Sequence, residues 1–400
     1  MSPKHAASAP VVTNPLALDL AALPKVSLHD HLDGGLRPAT ILDLAQSIGH
    51  QLPADTTETL AEWFQVAANA GSLESYLETF EHTTAVMQTA DALQRVAREF
   101  VEDLIDDGVV YAEVRWAPEQ HTHQGLSLED AVEAVQAGLE QGCQQASDQG
   151  QSIQVQQLLC AMRQADQAQT IAELAVRYRD SGVAGFDIAG PEDGFPPHRF
   201  AETFTWLTEQ FMPITVHAGE AAGIDSVADA IISGRTLRLG HGVRVSDDIM
   251  MEDTETGDAL VSLGRVAEGV LQRQMVLELC PSSNLQTGAV EPGTAEDPLA
   301  NHPFGLLHEL GFAVTVNPDN RLISGTTVTD ELYLLTHSYG YTLEDLLEFQ
   351  LNAARGAFIS QAERDNLLEK INRHWCAVIE DHLDPHDPHR PTCFTALNDD

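Results

Sequence analysis

The chain has 400 residues, 43% of them in the hydrophobic set and 20% charged, which supports a large core and excludes a fibrous or compositionally disordered protein. Its 61 acidic residues against 21 basic ones leave a formal net charge of −40, which argues against nucleic acid or an anionic membrane surface as a partner. Cys143, Cys160, Cys280, Cys376 and Cys393 are odd in number and never in a C-x-x-C pattern, so no disulfide framework is expected and a reducing cytoplasm fits.

Residues 1–24 are rich in Ala and Pro and read as an N-terminal tail, with the apolar stretch 15–23 interrupted by Asp19 and so a poor signal peptide. From residue 25 onward, eight short apolar runs alternate with stretches of helical spacing. The runs are 25–31, 109–116, 153–162, 184–188, 214–217, 237–241, 275–280 and 313–317. Helices are predicted between them at 90–107, 128–149, 166–180, 197–209, 226–232 and 260–273, with apolar positions three and four apart. This alternation predicts an α/β protein built as a single parallel (β/α)8 barrel over 25–383. The first connection is long enough for extra helices, including 72–89, where Leu73, Tyr76, Leu77, Phe80 and Met87 keep helical spacing. Helices are also expected after residue 328 to about 381, and 384–400 reads as a C-terminal tail. No uninterrupted 20-residue apolar span is present.

In a barrel of this kind the reactive face lies at the C-terminal ends of the strands, so residues remote in sequence converge there. His29 and His31 are two apart on a strand, where side chains alternate with period two, and both imidazoles can grip one ion, with Asp33 continuing that face. His217 ends the fifth run and Asp319 follows the eighth. Three imidazoles and a carboxylate suit zinc and leave a place for water, whose pKa falls from about 15.7 to roughly 7 on the ion. A hydrolytic reaction is the natural class. Glu220 lies three residues past His217 in a Gly-containing turn and is the candidate proton shuttle. His241, in a glycine-flanked G-H-G, is placed to hydrogen-bond the hydroxide or stabilise developing negative charge. Cys280 reads as a small core residue, and His121 and His123 as solvated loop residues. His382, His386 and His389 sit among Pro and Asp, where nothing rigid would hold an ion.

The segments PKVSLHDHLDGGLRPATI (24–41), VVYAEVRWAP (109–118), GFDIAGPE (185–192), TVHAGEA (215–221), LGHG (239–242), LCPSSNLQTGA (279–289) and VNPDNRLISGTT (316–327) resemble, in this order, the adenosine deaminase family of metal-dependent hydrolases. The resemblance implies an eight-stranded barrel with one zinc ion per chain on His29, His31, His217 and Asp319. It implies that Glu220 hands a proton to purine N1, making C6 electrophilic, while His241 and Asp319 orient the attacking hydroxide. Adenosine would become inosine with loss of ammonia, and 2′-deoxyadenosine would be a second substrate. By the same carry-over the Gly190 N–H meets purine N3, Asp33 binds the ribose 5′-hydroxyl, and Phe64, Leu73 and Tyr76 are candidates for the pocket wall.

Two departures from the family pattern stand out. The usual N-T-D-D is here Asn317-Pro318-Asp319-Asn320, so an amide faces purine N7; N7 only accepts, and an amide donates to it directly, so Asn320 is expected to keep that contact. Pro191 stands where Asp is more usual between Gly190 and Glu192. Asp33 favours a nucleoside over a nucleotide, because a carboxylate accepts from a hydroxyl and repels a phosphate. The expected partners are a small purine nucleoside and water. The alternative readings are a deaminase of aminodeoxyfutalosine or adenine, or a catalytically silent nucleoside-binding barrel.

Overall fold

All eight apolar runs form strands in the computed structural model, which describes residues 16, 18–69, 71–253 and 259–382. They are β1 (Lys25–His31), β2 (Val109–Trp116), β3 (Gln154–Met162), β4 (Val183–Ala189), β5 (Thr215–Ala218) and β6 (Arg238–His241), followed by a separate ribbon of β7 (Ile249–Asp253) and β8 (Ala259–Leu263), and then β9 (Val276–Leu279) and β10 (Val314–Val316). The barrel strands pair in parallel in the orders β1-β2-β3-β4 and β10-β9-β6-β5. Parallel bridges Phe186–Ile214 and Asp30–Asp319 join the two halves into a closed cylinder. The second closure is made by the site itself: the Asp319 N–H donates to the His29 carbonyl at 3.0 Å, and the His31 N–H donates to the Asp319 carbonyl at 2.7 Å. The Asn317 side chain extends that seam, its Oδ1 accepting the N–H groups of Leu28 and His29.

Strand side chains alternate, and each strand uses its two faces differently. Outward residues such as Val26, Leu28, Val114 and Leu277 pack in the apolar core under the helices. The other set, with Glu113, Arg115, Asp187, Arg238 and Glu278, is buried and ionic. Helices Ala90–Asp106 and Leu128–Asp148 start where expected, capped by Thr89 and Ser127 side chains that accept N–H bonds from the first turn. They approach closely at Gly138, where a Cβ would lie 2.2 Å from the Gln94 carbonyl oxygen.

Three local expectations are corrected. Residues 260–263 belong to β8 rather than a helix; the helix begins at Arg265, where the Asp248 carboxylate accepts the N–H groups of Val266 and Ala267. The stretch 72–89 forms two short helices, Leu73–Glu78 and Phe80–Val86, meeting at Thr79. Packing also begins upstream of residue 25: Leu20 and Leu23 are buried, and the Lys25 ammonium donates to their carbonyls at 2.6 and 2.9 Å. Residues 1–15 and 17 of the expected N-terminal tail and the stretch 384–400 lie outside the described residues, as do the side chains of His382, His386 and His389. Helices Val328–Tyr339, Leu343–Gly356 and Gln361–His382 follow the barrel as expected. Among the described residues no helix is long and apolar enough to cross a membrane.

Candidate active site

At the C-terminal end of the barrel β1 places His29 and His31 side by side, and β5 places His217 opposite them. One ring nitrogen of each lies within 4.8 Å of the others. His31 Nε2 is 3.3 Å from His217 Nε2, and Asp319 Oδ1 is 3.3 Å from His29 Nε2 and 3.4 Å from His31 Nε2. Ser283 donates to the other Asp319 oxygen at 2.6 Å, which orients the carboxylate.

The far sides of two imidazoles are held by carboxylates that the sequence did not single out for a role. His29 Nδ1 lies 3.0 Å from Glu278 Oε2, and His217 Nδ1 lies 2.8 Å from Asp187 Oδ2. A carboxylate anion only accepts, so each ring carries its proton on Nδ1 and turns the Nε2 lone pair to the centre. Arg115 donates to both Asp187 (2.9 Å) and Glu278 (2.6 Å), and Arg238 donates to Glu278 (2.7 Å) and Glu113 (2.5 Å). Burial opposes ionisation of Glu278, but Arg115, Arg238 and the His29 bond outweigh it and hold its pKa well below the usual carboxylate range. Burial likewise opposes ionisation of Asp187, and His217 with Arg115 overcomes it. A buried ionic lattice is a weak source of stability, but it fixes the orientation of what it touches. The signal in the sequence was a charged residue inside the apolar runs 109–116, 184–188, 237–241 and 275–280, as in V-L-E-L.

Glu220 and Asp319 are both buried and shifted in opposite directions. Burial, reinforced by the charges of Asp319 and Glu192, pushes the Glu220 carboxyl well above the usual range, so it holds its proton. Asp319 is drawn down against its burial by the neighbouring imidazole of His29, with His241 and His31 adding to it. Two carboxyls pushed apart in this way divide into a proton donor and an anion. The turn carrying Glu220 is held by Glu192, whose carboxylate accepts the N–H groups of Gly219, Glu220, Ala221 and Ala222 and the Ser226 hydroxyl. Glu192 does this with Pro191 half-buried before it, so the departure at Pro191 leaves the anchor in place. His241 Nε2 is 3.6 Å from Glu220 Oε2. His241 and Asp319 both have φ of 61°, left-handed backbone that costs a non-glycine residue about 1–3 kcal/mol and is retained where the surrounding structure enforces it.

These groups open into a cavity of about 620 Å³, which Asp33, Gly190 and Asn320 also line, together with Leu73 and Tyr76. Gly190 has φ of 94°, and a Cβ there would lie 2.7 Å from Gln164 Oε1, so glycine suits this part of the wall. The Asn320 side chain fits against Gly34, whose missing Cβ would overlap it. Two expectations fail. Phe64 is buried in the core under the first connection and does not line the cavity, because its ring packs against Trp63 at 5.1 Å. His121 is buried rather than solvated: its Nδ1 lies 3.0 Å from the Met87 carbonyl and its Nε2 lies 3.8 Å from Asp33, whereas His123 is exposed as expected. Cys280 is buried as expected, although its sulfur lies close to His29 and His241.

The donor set fits a divalent cation. His29 Nε2 is buried and makes no hydrogen bond, and three nitrogens and a carboxylate oxygen point at one small space. Nitrogen and oxygen donors in this number suit zinc or a similar borderline ion.

Comparison with known proteins agrees with this geometry. Residues 24–374 match the adenosine deaminase family. A Streptomyces coelicolor protein named adenosine deaminase 1 is 52% identical over 349 residues, 87% of this chain and 86% of its own. A Mycobacteroides abscessus adenosine deaminase is 50% identical over 366 residues, 90% of this chain and 98% of its own. Among solved structures, adenine deaminase from Arthrobacter aurescens superposes with a TM-score of 0.75 at 25% identity, covering 89% of this chain and all of that one. An amidohydrolase from Burkhoderia ambifaria with bound Zn shares the fold, with a TM-score of 0.77 at 21% identity over 92% of this chain and 97% of that one.

Proposed function

The chain belongs to the adenosine deaminase family, and from that premise we propose that it converts adenosine, and 2′-deoxyadenosine, to inosine or deoxyinosine and ammonia. The observation that carries the reading is the convergence of His29, His31, His217 and Asp319 beside the buried carboxyl of Glu220 on the wall of one nucleoside-sized cavity. Those four residues would hold one zinc ion, which polarises a water molecule for attack at neutral pH.

The remaining steps are assigned to side chains. Glu220 gives its proton to purine N1, which withdraws electrons from C6. The water oxygen, hydrogen-bonded by His241, attacks C6 as Asp319 takes one of its protons; that proton passes to the amino nitrogen, the C6–N bond of the tetrahedral intermediate breaks to release ammonia, and the remaining hydroxyl proton returns to Glu220. Asp33 accepts a ribose hydroxyl, the Gly190 N–H donates to purine N3, and the Asn320 amide donates to N7. Asp33 on the wall supports a nucleoside, since its charge repels a phosphate. The catalytic unit is the barrel over 25–383, and the setting is the cytoplasm, a reading supported by Cys143, Cys160 and Cys280 being free thiols.

The test follows the ultraviolet spectrum of purified protein with adenosine, measures ammonia alongside, and repeats both after a zinc chelator. The expected result is inosine formation that stops on chelation and returns with zinc. Turnover of adenine or AMP with adenosine untouched would overturn the substrate, and silence of zinc-loaded protein with all three would overturn the activity.

A further inference from the structure

His241 is the end of a hydrogen-bonded chain that reaches from the active site to the loop before the last barrel strand. His302 and Asn284 are both buried, and neither lines the substrate cavity. The Phe304 backbone N–H donates to His302 Nδ1 at 3.1 Å. An N–H can only donate, so that ring nitrogen is an acceptor, and burial lowers the His302 pKa to about 3, which keeps the ring neutral. Its single proton is therefore on Nε2, which lies 3.3 Å from Asn284 Oδ1. The Cys280 backbone N–H also donates to Oδ1, at 3.4 Å, so two independent donors fix which end of the Asn284 amide is oxygen. The amide nitrogen is left facing His241 Nδ1 at 3.1 Å.

We propose that Asn284 is a positioning residue that sets the tautomer of His241, with Phe304 and His302 supplying the direction of the chain. Each link passes one polarity to the next: N–H to Nδ1, Nε2–H to Oδ1, Nδ2–H to Nδ1. His241 Nδ1 must accept, so its proton sits on Nε2, the nitrogen that faces Glu220 at 3.6 Å. His241 thereby enters the reaction as a neutral donor toward the attacking oxygen, and cannot take the proton that Glu220 carries. This arrangement differs from that of His29 and His217, whose carboxylate partners put the proton on Nδ1 and leave Nε2 bare. Neighbouring histidines with ring centroids 4.6 and 5.4 Å from His241 are thus assigned opposite tautomers by what stands behind them.

The proposal rests on the deaminase reading for its consequence in rate, but its structural part is tested without turnover. Asn284→Asp keeps the shape and replaces the amide donor by an acceptor, so His241 must place its proton on Nδ1. In zinc-loaded protein labelled with ¹⁵N at histidine, the His241 signals of the parent report Nε2–H and those of Asn284→Asp report Nδ1–H. With adenosine, kcat of this variant falls about hundredfold while KM stays within threefold. His302→Phe removes one of the two donors that orient the Asn284 amide and leaves only the longer Cys280 N–H contact, so it gives a partly mixed tautomer signal with a kcat loss of up to about tenfold. An unchanged His241 spectrum in folded Asn284→Asp would overturn the proposal whatever the activity. Inverted tautomer signals with unchanged kcat would overturn its catalytic part, and inverted signals in a protein silent toward adenosine would leave the tautomer assignment standing while removing the deaminase reading.

Discussion

Replacing Glu192 by Gln tests how much of the catalytic turn depends on one buried carboxylate. Its Oε2 accepts the N–H groups of Glu220 (3.0 Å), Ala221 (2.7 Å) and Ala222 (2.9 Å), and its Oε1 accepts Gly219 N–H (2.7 Å) and the Ser226 hydroxyl (2.5 Å). In Glu192→Gln the retained oxygen keeps the three bonds but loses its charge, a change of about 1 kcal/mol each. Ser226 can reverse its hydroxyl, whereas Gly219 N–H then faces another donor and loses its bond, costing about 1–3 kcal/mol. The loss comes to about 4–6 kcal/mol. With an unfolding entropy of about 2.1 cal/mol/K per residue, a chain of this length should lose about 5–7 °C in Tm. Because Glu220 rides on the same turn, kcat should fall at least about tenfold, and KM much less, since small displacements of a reacting group are costly. Thermal unfolding and steady-state kinetics on the same preparation decide the matter. A Tm within about 2 °C of the parent together with unchanged kcat would refute the reasoning.

Glu220→Gln should keep the metal, measured by atomic absorption, and lose about hundredfold or more in kcat; His217→Ala should lose the metal itself, and full occupancy in that variant would contradict ligation. Asn320→Ala should raise KM or lower kcat for adenosine, and the role assigned to its amide is wrong if neither moves. Glu331 is fully buried, and desolvation raises its pKa to about 7. The native state therefore holds a proton that the unfolded chain releases above about pH 4.5, and this contribution to stability, complete below that pH, is lost as pH rises toward 7. Glu331→Gln removes up to about 3 kcal/mol of that slope while Thr326, by turning its hydroxyl, can still pair with the amide; denaturant unfolding at pH 5 and pH 8 that shows the parent and variant losing equal stability would count against the assignment.

The barrel was legible because its signals are local. Eight apolar runs and the helical spacing between them follow from two periodicities, and each run became a strand within a residue or two of its expected ends. The ribbon of β7 and β8 was missed because Leu260 and Val261 suit either a helix or a strand, and only pairing with Met251 and Glu252 selects the strand. The pair His29 and His31 was legible for the same local reason: alternation puts both on one face of β1.

Hydrogen-bond partners are not local, and there the sequence by itself stops. It determined which side chains arrive at the mouth of the barrel: His29, His31, His217, Glu220, His241 and Asp319. It could not say that Glu278 would stand behind His29, 249 positions away, or Asp187 behind His217, or that Asn284 and His302 would stand behind His241. His121 looked solvated because its neighbours in sequence are polar, whereas its neighbours in space are Trp116, Met87 and Asp33. Closing eight strands into a cylinder turns residues far apart in the chain into contacts a few ångströms long. The proton positions and ionisation states of the site depend on those contacts, so only the tertiary structure decided them.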